Sequence, residues 1–203
     1  MNVLDAGIEG VRSITQPCQL VILVPVAAAV VAGRASWRVV VAAVSGIAVG
    51  GWLFITRAIV VGNAAIRWSS LIVICAFGVL LWRRARTPGD LRAAPAVEAV
   101  LAAAVGLVTT TWWRPCVGEQ LGELLTRRPN EPWATLPASV AFMVGMSTPI
   151  LAIGLIRAAW QPTPRVAMTL GFVAAGAGLL LGLSVVSGQH GEVVATLFEW
   201  SQP

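Results

Sequence analysis

The sequence predicts an all-α integral membrane protein whose six transmembrane helices form two inverted three-helix repeats, with helices 1 and 4 broken. Three observations predict it. The 203-residue chain is 57% hydrophobic and 11% charged, with a mean hydropathy of +0.81, outside the range of a soluble globular domain. Apolar runs of the roughly 20 residues that cross a bilayer recur along the chain between short polar breakers. The two halves also repeat one another when displaced by 98 residues.

Taken in order, Met1 to Ile14 carries Asp5 and Glu9 before its first arginine. It therefore lacks the basic-then-apolar order of a cleaved signal peptide and is expected to be retained. Spans are expected near residues 14–32, 39–56, 66–82, 96–125, 134–156 and 166–187. Pro17 and Pro25 interrupt the first. The fourth is too long for one straight crossing and is interrupted by Trp112, Trp113, Arg114 and Pro115. Proline removes a helix N–H and crowds the preceding turn, so both spans are expected to be broken. Six spans and their loops leave no room for a soluble catalytic domain, so the chain is one membrane domain, residues 1–92 forming the first repeat and 93–203 the second.

All fourteen basic residues are arginine. They lie between the apolar runs, with no basic helix or aromatic-interleaved stripe, which argues against a nucleic-acid partner and for a lipid bilayer. The loops after spans 1, 3 and 5 hold Arg34, Arg38, Arg83, Arg84, Arg86, Arg92, Arg157 and Arg165. Arg12, Arg57, Arg67, Arg127 and Arg128 lie on the other side, with Asp5, Glu9, Glu131, Glu192 and Glu199. The positive-inside rule then places those three loops in the cytoplasm and both termini outside a plasma membrane.

The displacement that relates the halves superposes Pro17 on Pro115, Cys18 on Cys116, Arg67 on Arg165, Gly78 on Gly176 and Leu81 on Leu179. A unit of three spans enters the membrane from the opposite side in its second copy, which inverts the repeat. Each Pro-Cys dipeptide then sits inside a span, where proline opens the backbone beside the thiol. At the start of the helix that follows, the cysteine feels the positive end of the helix dipole, which favours thiolate, the species that attacks a disulfide. Arg114 is placed to stabilise a thiolate or to reach an interface. Glu119, one turn beyond Cys116, is placed to accept the thiol proton or to pair with Arg127. Trp112 and Trp113 are expected to anchor at an interface or to pack, and Cys75 to pack within its apolar run. The glycines are expected to permit close helix packing, with Gly50 and Gly145 as candidate hinges. His190 and the three cysteines lack the spacing of a zinc site.

The segment Trp113-Arg-Pro-Cys116-Val-Gly118-Glu-Gln-Leu-Gly122 resembles the W-x-P-C-x-G-x-x-L-G signature of the CcdA family of cytochrome c biogenesis and the related transmembrane domain of DsbD. Gln16-Pro-Cys18-Gln-Leu20 is similar to the family's first Pro-Cys motif, and 145–149 and 176–182 are similar to its glycine-rich fifth and sixth spans. Three residues after each cysteine the family usually carries a second proline; here those positions hold Val21 and Glu119.

The resemblance implies a thiol–disulfide oxidoreductase that carries electrons across the membrane. Cytoplasmic thioredoxin reduces the pair Cys18 and Cys116, supported by Pro17, Pro115, Gly118, Glu119 and Arg114. The pair then reduces an extracytoplasmic thioredoxin-like protein, as in cytochrome c maturation, with no metal or organic cofactor. Two other readings suit the same residues: a small inverted-repeat transporter for a soft metal ion or thiol compound, because midplane thiols and a carboxylate are soft-ligand chemistry, and an assembly or interaction subunit.

Overall fold

The structure is a computed structural model that describes residues 2–34, 36–55, 63–86, 95–112, 133–160 and 163–189, with 192 and 196; of Pro17, Cys18, Asn63 and Pro95 it describes the backbone. Among these residues it is wholly helical. In order come α1 (Val3–Arg12), α2 (Pro17–Ala32), α3 (Trp37–Ile55), α4 (Asn63–Arg86), α5 (Pro95–Thr109), α6 (Leu136–Met146), α7 (Thr148–Ala159) and α8 (Pro164–Val186). Short 3-10 turns at Ser13–Thr15 and Thr110–Trp112 follow α1 and α5.

Three of these helices, α3, α4 and α8, are long and apolar enough to cross a membrane, and there are up to five spans if each bent pair counts as one. The chain is a multi-pass membrane protein. The expected second, third and sixth spans correspond to α3, α4 and α8. The first is preceded by an additional helix, α1, whose start is fixed by Asn2: its Oδ1 accepts the Asp5 backbone N–H at 2.8 Å.

The break expected at Pro17 is present. Gln16 is extended, Pro17 opens α2, and the axes of the two helical segments differ by 86°. The break expected at Pro25 is absent, and α2 runs through that residue to Ala32. Proline costs a helix one hydrogen bond, and α2 absorbs the loss because its face at Ile22, Val26, Ala29 and Val30 is fully buried against neighbouring helices.

In the fourth span α5 tightens into the 3-10 turn Thr110–Trp112, and the expected break at Trp113 to Pro115 lies outside the described residues. The fifth span contains a bend that the sequence reading did not place. Between α6 and α7 the axis turns by 51°. Ser147 Oγ donates to the Met143 carbonyl and Thr148 Oγ1 to the Gly145 carbonyl. Pro149 has no N–H to continue the ladder.

Close packing depends on glycines at helix crossings. On α3, Gly46 and Gly50 have the small-x-x-x-small spacing of membrane helix contacts. A Cβ at Gly46 would collide with the Ala103 carbonyl of α5, and one at Gly106 with the Ala43 carbonyl of α3. The contact of α1 with α6 is built the same way, Gly10 lying against the Phe142 carbonyl and Gly145 against the Gly7 carbonyl. Gly50 and Gly145 are both close-packing positions, and Gly145, a candidate hinge, lies two residues before the bend at Ser147. Trp37, Trp82 and Trp160 are exposed at the end where α2, α4 and α7 finish, as in the aromatic belt of a membrane interface.

Candidate functional site

Cys18 is the second residue of α2, immediately after the break at Gln16 and Pro17. The first turn of a helix has backbone N–H groups without intrahelical acceptors, and their aligned dipoles favour negative charge there. Cys18 thus lies in the first turn of the helix that follows the break. Cys116, with Arg114, Pro115, Gly118 and Glu119, lies outside the described residues, so the distance between the two cysteines does too. What is described is the segment leading to Cys116, which ends at Trp112.

A hydroxyl of α4 ties down that segment. Trp112 Nε1 donates to Ser69 Oγ at 2.8 Å, Thr111 Oγ1 lies 2.9 Å from the same oxygen, and Ser69 donates to the Ile66 carbonyl at 2.8 Å. Trp112 is 2% exposed, so it packs rather than anchoring at an interface. Ser69→Ala removes the acceptor of the Trp112 indole N–H and is expected to cost about 1–2 kcal/mol, read as a lower denaturation midpoint in detergent.

Helix α4 sets the level of this turn relative to Cys18. Its Arg84 reaches the end of α2, donating from Nε to the Ala32 carbonyl at 2.9 Å. From Arg84 back to Ser69 is fifteen residues, and from Ala32 back to Cys18 fourteen. At a rise of 1.5 Å per residue both paths run about 21–23 Å. The first turn of α2 and the turn Thr110–Trp112 therefore come to similar depth, and α2 packs against that turn.

At the opposite end of α2, three charged residues treated as loop charges, or not singled out, in the sequence are built into the fold. Arg84 also donates to Val31 at 3.1 Å and to Ala167 of α8 at 3.4 Å, which ties α2 to α8. Its guanidinium lies over Gly171, where a Cβ would meet Cζ at 2.7 Å. Arg34 follows α2 with φ 68°, a left-handed conformation costly for a side chain with a Cβ. Its Nε lies 3.6 Å from Oε1 of Glu98, whose side chain is 6% exposed. This cluster closes one end of the bundle and joins α2, α4, α5 and α8.

Two further residues differ from expectation. Cys75 is exposed on α4 rather than packed. Gln19, the residue after Cys18, is completely buried, and neither side-chain polar atom has a hydrogen-bond partner. A carboxamide inside an apolar run was the available signal, since polar residues within membrane spans are costly. Among the described residues no group of His, Cys, Asp and Glu is arranged to hold a metal ion. No protein-family model, curated protein or solved structure matches the chain.

Proposed function

We propose that the chain is a transmembrane thiol–disulfide electron carrier with Cys18 and Cys116 as its redox pair, similar to CcdA and the membrane domain of DsbD. The observation that carries this reading is the place of Cys18: the first turn of a helix that begins at a break inside a span, in an element packed against the turn that leads to Cys116.

The exchange balances without a cofactor. A thiolate of cytoplasmic thioredoxin attacks one sulfur of the Cys18–Cys116 disulfide, forms a mixed disulfide and releases the other sulfur as thiolate. The second thioredoxin cysteine then attacks the mixed disulfide, so thioredoxin leaves oxidised. The chain keeps two electrons, and two protons complete its dithiol. On the outer face one of these sulfurs, as thiolate, attacks the disulfide of a thioredoxin-like protein and the steps run in the same order, restoring the Cys18–Cys116 disulfide. In this reading Pro17 and Pro115 open the backbone beside each sulfur, Arg114 and the dipole of α2 favour thiolate, and Glu119 accepts a proton.

The architecture that serves this chemistry is the six-span inverted repeat, with the Arg84 end in the cytoplasm. Its support is internal. Under the displacement that relates the Pro-Cys sites, the contact of α3 with α5 corresponds to that of α6 with α1. Gly78 and Gly176 correspond as well, and both face open space. An inverted repeat that rocks about the bilayer midplane exposes one site to each face in turn.

The test is mass-tag alkylation of the full chain in membranes, with Cys75→Ser as background because that thiol is exposed. The expected result is a Cys18–Cys116 disulfide that reduced thioredoxin opens, with Cys18→Ser or Cys116→Ser trapping a mixed disulfide. The proposal is overturned if the disulfide never forms and neither single variant traps a partner. Stoichiometric metal binding that both variants lose, without redox turnover, makes the chain a soft-metal carrier instead.

A further inference from the structure

The end of the bundle that Arg84 closes carries an excess of positive charge. Arg84 directs its donors to the carbonyls of Ala32, Val31 and Ala167, which are neutral acceptors, so its charge is hydrogen-bonded without being offset. Arg34 and Arg157 lie close enough to act on that charge. Arg157 donates to the Trp160 carbonyl at 3.2 Å, again a neutral acceptor. Among the described residues at this end the one carboxylate is Glu98, whose Oε1 lies 3.6 Å from Arg34 Nε. Three guanidiniums gathered around one carboxylate leave a net positive field, and in a partly buried site that field is screened less than at an open surface.

Two further arginines lie just outside this cluster, where α4 ends and α8 begins. Arg84 meets Ala167 across the contact of these two helices. Arg86 is two residues beyond Arg84 and Arg165 two residues before Ala167, so each is carried about 3 Å further toward the end of the pair. Both side chains are exposed, and neither meets a carboxylate among the described residues. The Arg86 guanidinium lies over the ring of Trp82, its Cζ 4.7 Å from the centroid. Trp82 is exposed, as are Trp37 and Trp160 at the same end, and such rings sit at the level of lipid headgroups. The unneutralised arginines therefore stand at the depth where a bilayer presents its phosphates.

We propose that the corner formed by the end of α4 and the start of α8 binds the phosphate of an anionic phospholipid, with Arg86 and Arg165 as its contacts and Trp82 against the glycerol and upper acyl chains. A guanidinium presents a planar fork of donors that matches phosphate oxygens. The inner cluster of Arg34, Arg84 and Arg157 adds a fixed positive field behind them. That field selects the headgroup, because a zwitterionic lipid brings an ammonium of its own into it, whereas an anionic one does not. The exposed indole gives a lipid apolar contact that a free phosphate does not use, which favours the lipid as occupant. The site is independent of the thiol chemistry, and binding is expected whether or not the cysteines are present.

The test titrates the full chain in detergent micelles with phosphatidylglycerol, phosphatidylcholine or inorganic phosphate and measures bound lipid by native mass spectrometry, alongside the melting temperature. Phosphatidylglycerol is expected to bind about fivefold more tightly than phosphatidylcholine, and Arg86→Gln and Arg165→Gln are each expected to weaken it about fivefold, the worth of one arginine at a membrane surface. Both variants are expected to keep the wild-type melting temperature in lipid-free micelles, since the side chains are exposed. The control is Arg67→Gln, which removes an exposed arginine beside the exposed Trp68 at the other end of α4 and is expected to leave binding unchanged. The inference is overturned if neither variant weakens binding, if Arg67→Gln weakens it as much, or if phosphatidylcholine binds as tightly. Displacement of the lipid by inorganic phosphate would make this a free-anion site, and a lower lipid-free melting temperature in either variant would make that arginine a support of the fold; each result also overturns it.

Discussion

Gly46→Val is expected to destabilise the protein by about 3 kcal/mol, the upper part of the range for overpacking a close contact. A Cβ at this position meets the backbone of α5 at Ala103, not the end of a flexible side chain. A rotamer change elsewhere therefore gives no relief. The helices must separate, and separation opens the neighbouring contacts at Gly50 and Gly106. In a membrane, helix association rests on van der Waals contact and interhelical hydrogen bonds rather than on expulsion of water, so increased spacing directly weakens the interaction. The control is Gly78→Ala on α4, where nothing lies within 4 Å of the added carbon. There the loss of glycine's backbone freedom is expected to leave stability level or raise it by about 0.5–1 kcal/mol. Denaturation in mixed micelles measures both, and equal midpoints for the two variants would show that the α3–α5 crossing does not hold the bundle together.

The second large effect is expected at Arg84. Arg84→Met keeps much of the aliphatic length but removes donors to carbonyls on two helices, Val31 and Ala32 of α2 and Ala167 of α8. Val31 and Ala32 lie in the last turn of α2, where the Val31 carbonyl also accepts the Arg34 backbone N–H at 3.2 Å. The expected loss is about 2–3 kcal/mol, as for losing hydrogen bonds from a charged, partly buried side chain. Arg84→Lys is expected to recover only part of it, because an ammonium cannot reproduce the planar fork of donors. High salt is expected to change the wild-type midpoint little, since partly buried charges are screened less than exposed ones. Full recovery by lysine would show that charge alone, rather than the geometry of the guanidinium, secures the end of α2.

Much of the helical layout was legible in the sequence because its causes are local. The apolar lengths of α3, α4 and α8 are set by the bilayer. The break before Cys18 follows from a proline that occupies the first position of a helix without cost. The same rule failed at Pro25, where packing along α2 keeps the helix continuous. The bend at Ser147 depends on hydroxyls returning to their own backbone, a choice that composition does not dictate. Arg34 and Arg84 were legible as charges at the end of apolar runs. That they meet Glu98 and the last carbonyls of α2 was not, because their partners lie on other elements.

By itself, then, the sequence determined a multi-pass helical membrane protein with two Pro-Cys sites, since hydropathy and proline stereochemistry act within a few residues. Only the tertiary structure decided which glycines bear helix crossings, which arginine ties α2 to α8, and that Gln19 is buried without a partner. Those properties belong to distances between elements, and the energy of a polar or small side chain in a membrane depends on what the opposing helix presents to it.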